Sequence, residues 1–408
     1  MRYSCSLPFV AEWSGMTRAA VGHSLLLETE TAARQAWSSV TEAIGVIPQC
    51  AIVFATSGYD HAQIARVLRA EAPSLVLVGC SAEGIVTQGR SDEVDHALGI
   101  VGIHSDRLCF DGFVVSGYAA DSAQAGAELA RAVSASGRTE PLALIVFPDG
   151  LSGDCTRFLD ALSQGLPPGM PIVGGAAADA LRMDSTQQLC GTDVVSGGVA
   201  ALLVSGRGRA AIAVGHGCRP IGRTRMVSAM DGGWLVSLDG TPAWQWFRQY
   251  LDGDAQDLRA DGIMHLSVGL ISEDDPEGST VVRTPMLLRH EDGALFFPGG
   301  GIAVGSRVRL VRRDPVSMRV SAAQTAQSLV GGADAERPDL VLQFDCSGRG
   351  KLLFGSCAAD EIVAPVQDIV GRDVPWLGFH TYGEIAPLGG RARYHNYTVA
   401  LLALYPPR

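Results

Sequence analysis

Histidine, threonine, tyrosine and glutamate crowd one turn of the sequence "GFHTYGEIAPLGG", at His380, Thr381, Tyr382 and Glu384. Such a set could hold a polar ligand. Imidazole and hydroxyls give and take hydrogen bonds, the phenol adds a flat apolar face, and a carboxylate accepts from an amine. Asn396, in the following "HNYTVALL", and Arg349, in "CSGRGK", could orient a carboxylate or another polar group. The other reading is that Tyr382 and Glu384 stitch the turn to a neighbouring strand. A second polar turn, "VGCSAEG", carries Cys80, Ser81 and Glu83. It approaches the Gly-x-Ser-x-Gly nucleophile elbow, but Glu83 stands where that tight turn needs glycine. Cys80, Ser81 or Cys346 would be the nucleophile of a hydrolase. Cysteine is also a common buried apolar residue, and nothing in the sequence lowers either thiol's pKa.

Histidines could ligate a cofactor. His216, His380 and His395 each stand at the end of an expected strand, where ordinary packing is the alternative. His216 lies between Gly215 and Gly217, glycines that would let a bulky cofactor approach. No His-Glu-x-x-His motif and no Cys/His cluster is present, which argues against a structural zinc site.

Composition narrows the functional classes. The chain has 408 residues, 47% of them apolar and 18% charged, the balance of a well-packed globular protein. A formal net charge of −11, with only small basic clusters such as Arg307 to Arg313, argues against a nucleic-acid partner. Nine scattered cysteines without a Cys-x-x-Cys pair suit a reducing, cytoplasmic setting. The opening "MRYSCSLPFVAEW" lacks the apolar core of a signal peptide. The longest apolar runs, "GGVAALLV" and "TVALLALY", read as buried strands, too short to insert in a membrane.

The polar turns must be positioned by the elements around them, and these recur. From Ala51 and from Leu142 the sequence reads apolar strand, glycine-containing loop, amphipathic helix, proline, apolar strand and small-residue turn. Ile64, Val67 and Leu68 mark the first helix, Phe158, Leu159 and Leu162 the second. Two strands follow each turn: "HALGIVGIH" and "RLCFDGFVVSG", then "GGVAALLVSG" and "RAAIAVGHG". A third copy runs from "LVLQFDC" through a helix near 358–370 to "PWLGFHTYGE" and "HNYTVALLALY". Gly79, Gly174 and Gly378 correspond. Between the second and third copies, a hairpin turning at Asp231-Gly232 leads to a helix that Thr241 would cap, with Pro242 first inside it. Three or four antiparallel strands follow, then a helix over 318–330. "GGGIAVG", from Gly299 to Gly305, resembles a dinucleotide loop, but the alternating "SRVRLVRR" after it makes a glycine-rich hairpin turn the better reading.

The sequence resembles the FIST family, small-ligand sensory modules of signal transduction. The resemblance rests on "VGCSAEGIV", "PGGGIAVGSRVRL", "FDCSGRGKLLFG" and above all "GFHTYGEIAPLGG" followed by "HNYTVALL", and covers about Leu25 to Tyr405. It implies a lead segment over 1–24, a FIST N domain of two repeats over 25–217, and a FIST C domain over 218–408 holding the hairpin insert and the third repeat. The expected fold is α/β, with repeated strand-helix-strand plus hairpin units in mixed, largely buried sheets flanked by helices. The expected function is binding a small metabolite and signalling through a separate partner such as a histidine kinase, a cyclic-dinucleotide enzyme or a chemoreceptor, or through a homodimer. One branch resembles haem-binding nitric oxide sensors that regulate histidine kinases. There, haem would take His216 or His380 as its axial ligand.

Overall fold

The computed structural model describes residues 2–4, 16–251, 266–271, 280–331 and 336–408. Residues 5–15, most of the opening segment in which no signal peptide was read, lie outside them. The chain is mixed α/β, with mixed sheets flanked by helices.

Three of its sheets are each built on a four-stranded core of the same topology. The three-residue strand β1 (Arg2–Ser4) lies at the edge of the second sheet, on β8. The first core runs β2 (Thr17–Ser24), helix α1 (Thr29–Ile44), β3 (Cys50–Thr56), α2 (His61–Glu71), β4 (Val76–Ala82), and, after a hairpin β5 (Gly84–Thr87) and β6 (Arg90–Asp92), β7 (Leu98–Ser105). The second runs β8 (Leu108–Val115), α3 (Ser122–Ser134), β9 (Pro141–Pro148), α4 (Cys155–Gln164), β10 (Ile172–Gly175), a pair β11 (Gln188–Cys190) and β12 (Asp193–Val195), and β13 (Val199–Gly206). The third opens with β14 (Arg209–Gly215), and its remaining elements follow the insert.

The insert comprises β15 (Arg219–Asp231), β16 (Trp234–Leu238), the short β17 (Thr241–Pro242), α5 (Ala243–Phe247), β18 (Leu266–Ile271), β19 (Thr280–Arg283), β20 (Leu287–Arg289), β21 (Ala294–Phe296) and β22 (Arg307–Arg312). The third core then resumes with α6 (Pro315–Val330), β23 (Leu340–Cys346), α7 (Lys351–Phe354), α8 (Ala364–Val370), β24 (Trp376–Thr381), β25 (Glu384–Leu388), β26 (Arg391–His395) and β27 (Val399–Tyr405). The core orders are β4-β3-β7-β2, β10-β9-β13-β8 and β24-β23-β27-β14. "RLCFDGFVVSG" and "RAAIAVGHG" therefore open the second and third cores. The sequence reading had them closing the first and second.

Each of the three turns that follow β4, β10 and β24 carries the chain out of its own sheet. The hairpin β5–β6 extends the third sheet through β24, the pair β11–β12 extends the first through β4, and β25–β26 extends the second through β10. The exchange is cyclic. Inward-facing residues of all three sheets share one core, at whose centre Phe54, Phe147, Phe344 and Phe379 meet with ring centroids 4.3 to 6.2 Å apart. Helices cover the outer faces. Ile64 and Leu68 of α2, and Phe158 and Leu162 of α4, are fully buried, as their spacing requires.

Two local expectations change. Thr241 and Pro242 pair with β16, and Pro242 itself precedes α5 without a side-chain cap. The segment Gly299–Gly305 is not a hairpin turn: β21 pairs with β16 and β20, β22 with β15 and β18, so the glycines cross between two parts of the insert sheet.

The corresponding glycines explain how the strands close. A Cβ would fall 1.9 Å from Val53 O at Gly79, 2.0 Å from Val146 O at Gly174 and 2.4 Å from Gln343 O at Gly378. The obstacle is backbone in each case, so Gly79→Ala should cost about 3 kcal/mol through forced strand separation. A chemical-denaturation midpoint unchanged from wild type would show that these strands part easily.

Candidate functional site

The three turns meet. Glu83 N–H donates to His380 O (3.0 Å), Tyr382 N–H to Ala176 O (3.2 Å) and Ala178 N–H to Ser81 O (3.0 Å). Counted from Gly79, Gly174 and Gly378, these are the same positions three times over, so the bonds close a ring. Its three outgoing side chains belong to Glu83, Ala178 and Tyr382. Phe379, in the central aromatic cluster, directly precedes His380 in β24 and supplies a rigid apolar floor.

Glu83 and Tyr382 lie side by side. The Leu181 N–H is shared between Glu83 Oε2 (2.9 Å) and Tyr382 Oη (2.8 Å), and Tyr382 Oη donates to Asp179 Oδ1 (2.6 Å). Asp179 is buried and also accepts from the backbone N–H groups of Met183, Asp184 and Ser185. The loop wrapping it holds Ala180, Leu181 and Met183 at φ of 60°, 54° and 54°. Left-handed backbone costs each such residue on the order of 1 kcal/mol and concentrates at functional sites. Leu181 and Met183 nonetheless leave 45% and 52% of their surface in solvent.

His380 lies beside this cluster, fully buried, with Nε2 bonded to Ser91 Oγ (2.8 Å) and 3.5 Å from Glu93 Oε1. Glu93 also accepts from Lys351 N–H (2.6 Å). Burial raises Glu83 to about 7. The Leu181 N–H opposes that rise, the charge of Glu93 adds to it, and Tyr382 and His380 oppose it more weakly. Burial also drives the Tyr382 phenol upward.

The other candidates fall inside the protein. Glu384 is fully buried, accepting from Thr381 Oγ1 and from Thr398 N–H (3.1 Å), and burial pushes it well above the carboxylate range. Thr381 Oγ1 in turn accepts from Gly383 N–H. Asn396 bridges Thr284 N–H (3.1 Å) and Tyr382 O (3.3 Å), tying the insert to the turn. Arg349 is enclosed, paired with Asp345 (2.7 Å) and donating to His216 O (2.9 Å). Cys80 sits in the central core and Cys346 beside Tyr397, and burial pushes both thiols far upward. Ser81 Oγ is buried and accepts from Gln187 N–H.

Haem does not fit the two histidines proposed for it. His380 has no open face, and its Nε2 is engaged. His216 Nδ1 accepts Cys218 N–H (2.9 Å), and burial, reinforced by Arg349, lowers the ring to about 4. The close approach that Gly215 and Gly217 permit is taken by α6: their Cβ positions lie 2.3 Å from Thr325 Oγ1 and 2.6 Å from Met318 Cα. His395 is buried, lies within reach of Ala386 O (3.3 Å), and burial lowers it to about 4.

Sequence profiles of two domains match the chain, FIST N over residues 49–241 and FIST C over residues 243–387. The chain belongs to the FIST family. FIST domains are associated with small-ligand sensing and signal transduction. An uncharacterized protein of Mycobacterium tuberculosis is 25% identical over 404 residues, covering 94% of this chain and 98% of its own. One of Mycobacterium bovis is 26% identical, covering 91% and 94%. Among solved structures, a chorismatase covers 97% of this FIST protein and all of its own chain at 10% identity and a TM-score of 0.37. A cyanuric acid hydrolase of A. caulinodans covers 96% and 99% at 10% identity and a TM-score of 0.40. Among the described residues no helix is long and apolar enough to cross a membrane, and no group of three or more His, Cys, Asp or Glu could hold a metal ion.

Asp179, Ser91 and Glu93 were not among the residues singled out from the sequence. Counting from Gly174 reaches Asp179 directly after the ring position. Ser91 and Glu93 come to the site only through the exchange of β5–β6.

Glu83 gives a pH prediction. Its unfolded carboxyl titrates near 4.5 and its folded one near 7, so between these the folded state holds a proton the unfolded chain has released. Stability from this group is present at low pH and falls as pH rises through that window. Glu83→Gln should therefore gain on wild type between pH 5 and 7.5, by on the order of 1–3 kcal/mol. Melting temperatures of both proteins across that range give the test, and a constant difference would refute it.

Proposed function

We propose that this FIST protein is a sensor that binds a small polar metabolite carrying a protonated amine where the three turns meet, and signals through a separate protein partner. The observation carrying this reading is the convergence of Glu83, Asp179 and Tyr382 beneath one strained loop. An amine donor placed there replaces the shared Leu181 N–H on Glu83 and Tyr382. It also favours the ionised Glu83 carboxylate over the neutral form that burial promotes. Loss of the Leu181 bond frees the left-handed stretch 180–183 to relax, and Leu181 and Met183, already half in solvent, change what the loop presents to a partner. A histidine kinase, a cyclic-dinucleotide enzyme or a chemoreceptor would suit that output. Cys80, Cys155, Cys190, Cys218, Cys346 and Cys357 are free thiols, which suits a cytoplasmic sensor.

The hydrolase reading has less support. A working nucleophile needs an adjacent base and an open face. Cys80, Cys346 and Ser81 are buried, and the base-like groups His380 and Glu83 are bonded elsewhere.

A thermal-shift screen of amino acids and polyamines at pH 7.5 is the direct test. A ligand at 100 times its Kd adds about 2.7 kcal/mol of apparent stability. Affinity for a stabilising amine should fall at least tenfold in both Glu83→Gln and Tyr382→Phe. Stabilisation that survives both substitutions, or no stabilisation by any amine, would remove the junction as the binding site.

A further inference from the structure

A concave site lies away from the junction, where the insert meets the second and third cores. It is a cleft of about 460 Å³, bounded by α4, by strands β18 and β19 of the insert, and by the hairpin β25–β26. That volume suits a small organic molecule. Leu159, Leu270 and Val281 give it apolar walls, while Arg283, Arg391 and Arg393 give it three positive charges.

Arg283 is the unusual group. Only 1% of it is exposed, yet none of its hydrogen bonds among the described residues goes to a carboxylate, and Asp154 acts on it only through its charge. Its guanidinium lies 4.5 Å from the centre of the Tyr394 ring and donates to three carbonyls: Tyr394 O, Pro298 O and Gly300 O. Its Nε has no acceptor among the described residues. The glycine segment that the sequence left without a role makes this possible. Gly299, Gly300 and Gly301 have φ of 75°, 70° and 87°, a run of left-handed backbone that turns two carbonyls onto the guanidinium. Carbonyl dipoles and a ring face solvate a cation but do not neutralise it, and buried charges are ordinarily paired. Arg391 and Arg393 also lack carboxylate partners among the described residues. Among its described lining residues the cleft thus combines three arginines with apolar walls.

We infer that this cleft binds a small amphipathic anion, a carboxylate or phosphate ester whose head meets the arginines and whose short apolar body lies along Leu159, Leu270 and Val281. Guanidinium groups match both head groups in geometry and charge. The site does not depend on the junction reading, although Tyr394, which lines the cleft, donates to Tyr382 O (3.0 Å) and so touches both places.

The probe is 8-anilinonaphthalene-1-sulfonate, an anion with a rigid apolar body, titrated by fluorescence into the full chain. Saturable binding should weaken at least tenfold in the double variant Arg391→Gln/Arg393→Gln and stay within twofold of wild type in Arg131→Gln, an exposed residue of α3 outside the cleft lining. Octanoate or phenyl phosphate should displace the probe where octanol does not. Arg283→Met should act like the double variant. Should it fail to fold, the double variant, whose arginines are partly exposed, still decides. Binding unchanged in the double variant, or displacement by octanol equal to that by octanoate, would overturn the inference. Because Glu83→Gln leaves this cleft intact, loss of amine binding there and retention of the probe would separate the two sites.

Discussion

Three backbone hydrogen bonds hold the centre of this molecule. They join Glu83 to His380, Tyr382 to Ala176 and Ala178 to Ser81, and each links the exit of one sheet to the exit of another. Buried backbone groups must be paired, so each exit is satisfied by a neighbouring unit that is itself completed by the next. Side chains at the crossing inherit this rigidity. Glu83 and Tyr382 project from a frame set by three sheets and floored by phenylalanines, which fixes their relative geometry.

The protein treats its carboxylates in two ways. Asp345 and Glu384 are fully enclosed. Asp345 is matched by Arg349, and Glu384 is held toward its neutral form with Thr381 and Thr398 as partners. These groups lock the third core and its turn in register. Glu83 and Glu93 instead sit close enough to repel, and Glu83 titrates within the physiological range. Depth separates the two groups: Glu384 has the chemistry a ligand would want but is fully buried.

Local order was legible in the sequence. Ile64, Val67 and Leu68, and Phe158, Leu159 and Leu162, announced helices because one face of each had to be apolar. Gly79, Gly174 and Gly378 announced three corresponding strand exits, and the fold shows that no side chain fits there. Long-range pairing was not legible. Ser91 reaches His380 across 289 residues of chain, and no periodicity records which edge a departing hairpin will join. The same limit placed "RLCFDGFVVSG" with the strand before it, although its partners lie in the second sheet. Glu384 and Arg349 were drawn to the candidate site by residue type. Burial, a property of the whole fold, took them out of it.

The exchange of hairpins also bears on how such proteins can change over evolutionary time. The N-terminal half lends β5–β6 to the third sheet and borrows β25–β26 for its own second sheet. A recombination event separating the halves would bare the edges of β10 and β24, the kind of unpaired strand that seeds aggregation. Each half therefore depends on the other to cover a sheet edge. Novelty is easier to admit at the joint between β14 and α6, where this chain already carries an entire additional sheet with a core of its own.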